Sequence, residues 1–406
     1  MKLDEAELAG LSAWLNQMSL AGLGEAELVG AFCARLEQLG LPLARGTVLI
    51  DTLHPIHEGR AFLWTTGAAQ AKEIEYGRTR EGPAADAWRR SPLYYMVETN
   101  QSRLRRRLSD PPPGNMPDFA MFEELRREGI TDYLALVARF AARGIIGDMD
   151  AVYSVWNSAA PAGFDDGHVA VLERLIIPLA AALKCVSLAR IASTLVETYL
   201  GRDAGRRILS GRIERGIAER IGAVLWYSDL RSYTRITETA APDQIIPLLN
   251  DYADVVISAI HTAGGDVLKL IGDGTLAIFQ ENDGGTACKS ALATAVAVRR
   301  GVRELNARRA AAGQPVTDVY LGLHVGEVFY GNIGSLDRLD FTVVGPAVNE
   351  VSRIAAMCRS VERDVLVSES FAATADSADR GRLVSVGRFA LRGVSRPQEL
   401  YTLDEA

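Results

Sequence analysis

The chain has 406 residues, of which 48% are hydrophobic and 23% charged, and its formal net charge is −7. This composition is ordinary for a globular protein of about two domains, and the acidic balance argues against a nucleic-acid partner. The four cysteines lack metal-binding or redox spacing, which predicts buried thiols in a reducing compartment.

The sequence gives no sign of a targeting or membrane segment. Residues 1–7 are acidic and lack the apolar core of a signal peptide. No uncharged apolar run approaches the ~20 residues that cross a bilayer, and the nearest, Ile176 to Leu183, ends at Lys184. We therefore expect no membrane span and a cytoplasmic location.

The first 167 residues are predicted to mix helices with strands. Helical periodicity covers residues 4–39, and a proline-rich loop at 110–114 divides the strands into two groups. The predicted strands are 47–53, 60–65, 92–97, 132–138 and 150–156, and the later helices are 119–127 and one that begins near Asp165. This order resembles that of a GAF-like α/β sensor domain, which implies that residues 1–167 receive a small-molecule or protein signal.

Two features of this region are open to more than one interpretation. His54 and His57 could bind a metal, but Pro55 interrupts a regular helix and Glu58 is the one acidic neighbour, so a metal is disfavoured. The basic run Arg103–Arg107 is interpreted as a solvated face, with an anion site as the alternative.

A helical connector is predicted over residues 168–218. Apolar side chains recur at alternating three- and four-residue steps from Leu172 to Leu200, which favours a two-stranded coiled coil. The alternative is a helix packed on its own domain, and Pro178 favours it for the first half. We predict a closing helix to about Lys184, then a dimeric signalling helix, then an Arg-rich joint at Gly201 to Gly216.

Helices, strands and hairpins alternate over residues 219–406. This predicts an α+β sandwich whose mixed sheet carries its helices on one face. The predicted strands are 224–228, 319–326, 328–330 and 341–344, with a hairpin around Gly272-Asp273-Gly274, and the predicted helices are 245–260, 286–312 and one that begins near Ala347.

Chemically active residues occur at the ends of these elements. Two apolar runs flank Gly272-Asp273-Gly274, a strong hairpin signal that places the Asp273 carboxylate at a tip. Another apolar strand ends at Asp229. Lys269 lies among apolar neighbours, where a charge is costly unless it has a partner, and the alternative is a lysine exposed on the wet face of a strand. Asn349 and Arg353 are four apart and share a helix face.

Three segments, 223–234, 264–279 and 340–353, resemble in this order the catalytic domain of class III nucleotidyl cyclases. The resemblance covers residues 215–403. It implies that Asp229, Asp273 and the Leu230 carbonyl hold two Mg²⁺ or Mn²⁺ ions, and that a ribose 3′-oxygen attacks the α-phosphorus and releases pyrophosphate. Because guanine would need an acidic acceptor at Lys269, the Lys269 and Thr342 pair implies adenine and therefore ATP.

The same resemblance implies the remaining roles. Asn349 would orient the ribose and Arg353 would meet the charge that develops on the α-phosphate. Arg392 would bind the terminal phosphates. Backbone N–H groups of residues 231–234, which include Thr234, would bind phosphate oxygens. The sequence departs from the family pattern at Pro346 and Glu350.

The family divides these residues between two subunits, so the resemblance implies a homodimer with two shared sites. The resulting hypothesis is an adenylate cyclase that the N-terminal domain regulates. Two alternatives stay open: a guanylate cyclase, and a catalytically silent regulatory dimer.

Overall fold

The computed structural model describes residues 4–80, 82–110, 117, 119–141, 146–147, 149–280, 284–394 and 396–403. It divides the chain into two compact units, Met1–Leu195 and Val196–Ala406.

The first unit is built on a six-stranded antiparallel sheet. Its strand order is β3-β2-β1-β6-β5-β4. The strands are β1 (Arg45–Asp51), β2 (Gly59–Thr65), β3 (Lys72–Tyr76), β4 (Arg103–Arg107), β5 (Asp132–Arg139) and β6 (Ala151–Ser158). The helices are α1 (Glu5–Leu20), α2 (Glu25–Gln38), α3 (Gly82–Arg89), α4 (Pro92–Glu98), α5 (Ala120–Arg127) and α6 (Asp166–Leu200).

Both faces of this sheet are covered, because alternate residues of its central strands belong to different cores. Leu134 and Leu136 of β5 pack with the buried residues of α1, α2 and α6. Tyr133 and Ala135 pack with those of α4 and α5. Most of the strands and helices predicted here are present.

One predicted strand, 92–97, is wrong, because these residues form helix α4. Ser91 caps the helix by accepting a hydrogen bond from the Tyr94 N–H at 3.1 Å, and Pro92 occupies the first turn, where a missing N–H costs nothing. Leu93 and Met96 are buried three residues apart, which is helical rather than strand spacing. Residues 111–114 of the predicted proline loop lie outside the described residues.

The basic run forms strand β4, and its side chains Arg105 and Arg106 point into the protein. The interpretation of the run as a solvated face is therefore wrong for these two residues. Arg105 Nη2 lies 2.8 Å from Oδ2 of the buried Asp132. Arg106 is buried and donates to the Asp110 carbonyl at 2.7 Å. His54 stacks on His57, whose Nε2 lies 3.0 Å from a Glu75 carboxylate oxygen.

Helix α6 packs on the first unit beyond the predicted limit at Lys184. Ser187 and Ile191, about one and two turns further on, are buried, so that limit is wrong. Within the described ranges, α6 is the one helix long and apolar enough to cross a membrane by length and composition, but many of its apolar residues lie in the core of this unit. The absence of a span and the dimeric coiled coil stay predictions.

The predicted joint between Gly201 and Gly216 contains a further helix, α7 (Arg202–Leu209). Gly201 takes a φ of +88°, which turns the chain between α6 and α7. Gly205 packs so closely on Glu197 that a Cβ there would lie 3.0 Å from its Cα.

The second unit is built on an eight-stranded mixed sheet. Its order is β13-β14-β12-β10-β7-β9-β8, and β11 pairs with β10. The strands are β7 (Ala218–Leu230), β8 (Asp266–Ile271), β9 (Gly274–Phe279), β10 (Val319–Gly334), β11 (Leu339–Val344), β12 (Val365–Ser368), β13 (Leu383–Phe389) and β14 (Gln398–Leu403). The helices are α8 (Tyr233–Thr239), α9 (Pro242–Thr262), α10 (Gly284–Ala311), α11 (Pro346–Val361), α12 (Glu369–Thr374) and α13 (Ser377–Arg380). The strands predicted at 319–326 and 328–330 are therefore one strand.

The α+β class is confirmed, but the prediction that the helices lie on one face is wrong. Val224 and Trp226 of β7 pack with the buried residues of α9, α10 and α12. Leu225, between them, packs on the opposite face with residues of α7 and α11. The apolar character of consecutive residues in β7 reflects this two-sided burial.

Candidate active site

The two aspartates predicted to bind metal are neighbours. Ser228 of β7 pairs with Thr275 of β9, which brings the β8–β9 turn beside the end of β7. The Leu230 N–H donates to Asp229 Oδ1 at 3.1 Å and lies 3.3 Å from Asp273 Oδ2. One backbone amide therefore contacts both carboxylates.

The environment of these carboxylates suits a cation. Burial raises the pKa of Asp229 to about 7, and the hydrogen bond and the charge of Asp273 add to the effect. A positive ion would stabilise such a pair in place of the proton. Among the described residues, no group of three or more His, Cys, Asp or Glu is placed to hold a metal, so further ligands would come from the Leu230 carbonyl and a substrate. Oxygen ligands of this kind suit Mg²⁺ or Mn²⁺.

The aspartates lie in a cleft of about 170 Å³. Its other lining residues come from the ends of β7, β8, β9 and β10 and from α9. They are Ser228, Leu230, Leu249, Asn250, Tyr252, Ala253, Val256, Leu270, Gly272, Gly274, Thr275 and Val319.

Lys269 has an acidic partner, which the sequence left undecided. Its Nζ forms an ion pair with Asp340 Oδ2 on β11, and the two side chains are 48% and 38% exposed. Asp340 and Thr342 are two apart on a strand, so their side chains lie on one face of β11. The structure thus places Thr342 on the strand that contacts Lys269. Asp340 received no role from the sequence, although it begins one of the three motif segments.

Asn349 and Arg353 lie on α11 as predicted, with Asn349 exposed and Arg353 half-buried. The loop before β14 runs beside Arg353, because a Cβ built on Gly393 would lie 3.4 Å from both terminal guanidinium nitrogens. Arg392 immediately precedes that glycine and is exposed.

The two departures from the family pattern have structural explanations. Pro346 is the first residue of α11, a position that suits proline. Glu350 Oε2 accepts from Gln398 Nε2 at 2.8 Å and lies 3.5 Å from His324 Nε2. These contacts were not predicted, because they join three distant parts of the chain.

Not all backbone N–H groups of the predicted phosphate-binding turn, residues 231–234, are free to bind a phosphate. The Arg231 N–H donates to the Asp318 carbonyl at 2.8 Å, so the prediction is wrong for that group. Thr234 is exposed in the first turn of the seven-residue helix α8, and Ser232 before it takes a left-handed φ of +57°.

The site residues form two groups. Asp229, Leu230 and Asp273 line the cleft, whereas Lys269, Thr342, Asn349, Arg353 and Arg392 do not. Within the part of the chain that the structure describes, no hydrogen bond or ion pair joins one group to the other.

Comparison with known proteins identifies the type of domain. The family model for the adenylate and guanylate cyclase catalytic domain matches residues 218–405. An adenylate cyclase of Anabaena cylindrica is 36% identical over 162 residues, which are 39% of this chain and 32% of that protein. Adenylate cyclase 1 of Rhizobium meliloti is 26% identical over 219 residues, which are 52% of this chain and 32% of that protein.

The chain thus spans about a third of the length of both curated relatives. Among solved structures, the adenylyl cyclase CyaB from P. aeruginosa has a TM-score of 0.43 and is 23% identical, covering 47% of this chain and 97% of its own. Residues 218–405 form a catalytic domain of the adenylate and guanylate cyclase type.

Proposed function

We propose that this nucleotide cyclase domain converts ATP to 3′,5′-cyclic AMP and pyrophosphate at sites shared by two copies of the chain. The observation that carries the proposal is that the Asp229 and Asp273 carboxylates contact one backbone N–H in a cleft of a domain that also contains Lys269, Asn349 and Arg353.

In the proposed reaction the ribose 3′-oxygen attacks the α-phosphorus and the bond to the bridging oxygen of pyrophosphate breaks. When bound, two Mg²⁺ or Mn²⁺ ions held by Asp229, Asp273 and the Leu230 carbonyl supply positive charge that favours ionisation of the attacking hydroxyl and neutralises the phosphates. Asn349 orients the ribose, and Arg353 donates to the α-phosphate as its charge develops. Thr234 and Arg392 contact the outer phosphates.

Adenine is the proposed base because of the hydrogen-bond types on offer. Lys269 donates to a ring nitrogen and the Thr342 hydroxyl accepts from the exocyclic amine. The ion pair with Asp340 supports this assignment, because it holds the Lys269 ammonium beside β11, the strand that carries Thr342.

We expect Lys269→Glu to lower kcat/KM for ATP by ~100-fold or more, because the donor becomes an acceptor and leaves the adenine ring nitrogen without a hydrogen-bond donor. Asp340→Asn should lower it by about tenfold, since the lysine loses its charged partner. The measurement is kcat/KM for ATP and GTP, with Lys289→Glu, an exposed lysine on α10, as the matched control. A wild type that prefers GTP, or a Lys269→Glu variant that keeps its ATP turnover, would refute the adenine assignment.

Two separate observations support a homodimer. The cleft lacks the base-binding and transition-state residues of its own chain. Large apolar side chains are also exposed on the β8–β9 and β10–β11 hairpins and at the ends of their strands, as expected of an interface. They are Leu270, Ile271, Phe329, Leu336, Leu339 and Val344.

A regulatory role is proposed for the first unit, as a GAF-like sensor in a cytoplasmic protein without a membrane span. Its support is a cavity of about 670 Å³, within the size range of small-molecule sites. The described lining residues come mainly from β1, β3, β6 and α3. They are Leu49, Asp51, Glu58, Tyr76, Gly77, Thr79, Ala84, Ala87, Trp88, Gly147, Asp150 and Tyr153.

We expect Mg²⁺ or Mn²⁺ to raise the melting temperature more above pH 7 than below it. The pKa of Asp229 is 3.8 in the unfolded chain and about 7 in the folded protein. Between these two pH values the folded protein holds a proton on Asp229 that the unfolded chain has released. The metal-free protein should therefore lose stability as the pH rises through that window. A cation must displace this proton, so its binding should strengthen as the pH rises.

Thermal unfolding measured with and without the cation, at one pH unit below and one pH unit above pH 7, checks this expectation. Asp229→Asn is the control, because an amide neither titrates nor replaces the carboxylate, and it should remove most of the shift. A larger stabilisation on the acid side would contradict the predicted exchange of proton for metal.

A further inference from the structure

Helix α11, which carries Asn349 and Arg353, is fastened to the sheet by polar contacts near its first turn. Glu350 is the next residue after Asn349 and lies on the inner side of the helix, mostly buried. Its Oε2 accepts a hydrogen bond from Gln398 Nε2 at 2.8 Å. Gln398 is the first residue of β14, so this bond joins the helix to the start of the last strand.

A second contact joins Glu350 to β10. His324 is 6% exposed and its Nε2 lies 3.5 Å from Glu350 Oε2. On the other side of the ring, Nδ1 lies 2.9 Å from the Ser368 hydroxyl. If that hydroxyl donates to Nδ1, the neutral ring carries its hydrogen on Nε2, facing Glu350. Burial lowers the pKa of His324, which favours the neutral ring despite the opposing effect of Glu350.

The loop before β14 brings these contacts close to the catalytic side chains. It lies against Arg353, since a Cβ on Gly393 would lie 3.4 Å from the guanidinium group. The same loop carries Arg392. Helix α11 therefore contacts this part of the chain at two points. Glu350 is hydrogen-bonded to Gln398 at the start of β14, and Arg353 lies beside Gly393.

We propose that Glu350 is a positioning residue. It holds Asn349 and Arg353 of α11 in a fixed position relative to Arg392, in the loop before β14. The inference rests on the proposed cyclase function for its catalytic consequence. The positioning itself is independent of that function.

The test compares Glu350→Leu, Glu350→Gln and Gln398→Leu. A small displacement of catalytic groups lowers the rate more than substrate binding, so Glu350→Leu should lower kcat by about tenfold with little change in KM for ATP. Glu350→Gln keeps an oxygen acceptor for Gln398 and should retain most of the activity. The pH profile of kcat should keep its shape, because Glu350 does not exchange protons with the substrate.

Two further comparisons show whether Glu350 and Gln398 act together. The double variant Glu350→Leu/Gln398→Leu should be no slower than the slower single variant, because each substitution alone already removes the same hydrogen bond. Glu304→Leu, an exposed acid on α10, is the control for adding an apolar side chain. Fully additive losses, or a Glu350→Leu variant within twofold of the wild-type kcat, would overturn the proposal.

Amide hydrogen exchange tests the positioning without reference to catalysis. Glu350→Leu should increase exchange in the first turns of α11 and in residues 391–394, whereas Glu304→Leu should leave both unchanged. Unchanged exchange in Glu350→Leu would overturn the proposal even in an active enzyme. A wild type that cyclises no nucleotide would refute the proposed function instead, and the exchange result would then decide the positioning alone.

Discussion

We expect Asp273→Ala to lower the cyclase activity by ~1,000-fold or more, because the cation site loses one of its two carboxylates. The change should leave the fold intact. Asp273 lies in the β8–β9 turn, where Gly272 with its φ of +62° sets the backbone, and its side chain is at the cleft rather than in the core. The assay measures product formation with Mg²⁺ and with Mn²⁺.

The matched control for this substitution is Asp254→Ala, which removes an exposed carboxylate from α9. Its activity should stay close to that of the wild type. Far-ultraviolet circular dichroism and the melting temperature show whether each variant is folded. Undiminished turnover in a folded Asp273→Ala protein would contradict the proposal that Asp229 and Asp273 together bind the cations.

The second large effect is a gain of activity. Inactive Asp273→Ala and inactive Arg353→Ala chains, unfolded together and refolded as a mixture, should recover roughly a quarter of the wild-type activity. Half of the dimers in an equal mixture carry one chain of each kind. Each such dimer has one site with both defects and one site with neither.

A matched mixture shows whether the recovery depends on the division of the site. Asp229→Ala and Asp273→Ala remove carboxylates from the same half of the site, so both sites of their mixed dimer are defective. That mixture should stay inactive. Mixed dimers of Asp273→Ala and Arg353→Ala that form but remain inactive would contradict the shared site.

The sequence was sufficient to predict the strand, hairpin and helix that carry the proposed site, because their signals are local. A glycine-containing turn between two apolar runs predicts the hairpin that carries Asp273, and the apolar run that precedes Asp229 predicts its strand. Four-residue spacing then places Asn349 and Arg353 on one side of α11. The structure confirms each of these placements.

The contacts that escaped prediction join residues that are distant in the chain. Lys269 and Asp340 are 71 positions apart, and Glu350 and Gln398 are 48 apart. Neither pairing leaves a periodic signal in one sequence, because it depends on which strands become neighbours. The same reason explains the error about the helices, since an apolar strand does not show which elements cover its two faces.

Local errors have local causes. The segment 92–97 contains the β-prone residues Tyr94, Tyr95 and Val97, which favoured a strand. Ser91 and Pro92 before it are a helix start, and this capping signal prevailed over side-chain propensity. Arg105 was assigned to the surface by its charge, but a buried partner, Asp132, neutralises it.

The most direct test of the central claim is to incubate the purified full chain with ATP, GTP, CTP and UTP in turn, with Mn²⁺, and to identify the products by mass. Asp273→Ala serves as the control for a contaminating cyclase. We predict 3′,5′-cyclic AMP and pyrophosphate from ATP with the wild type, little product from the other nucleotides, and none with the variant. Cyclic GMP as the main product, or no cyclic nucleotide from any substrate, would contradict the proposed adenylate cyclase.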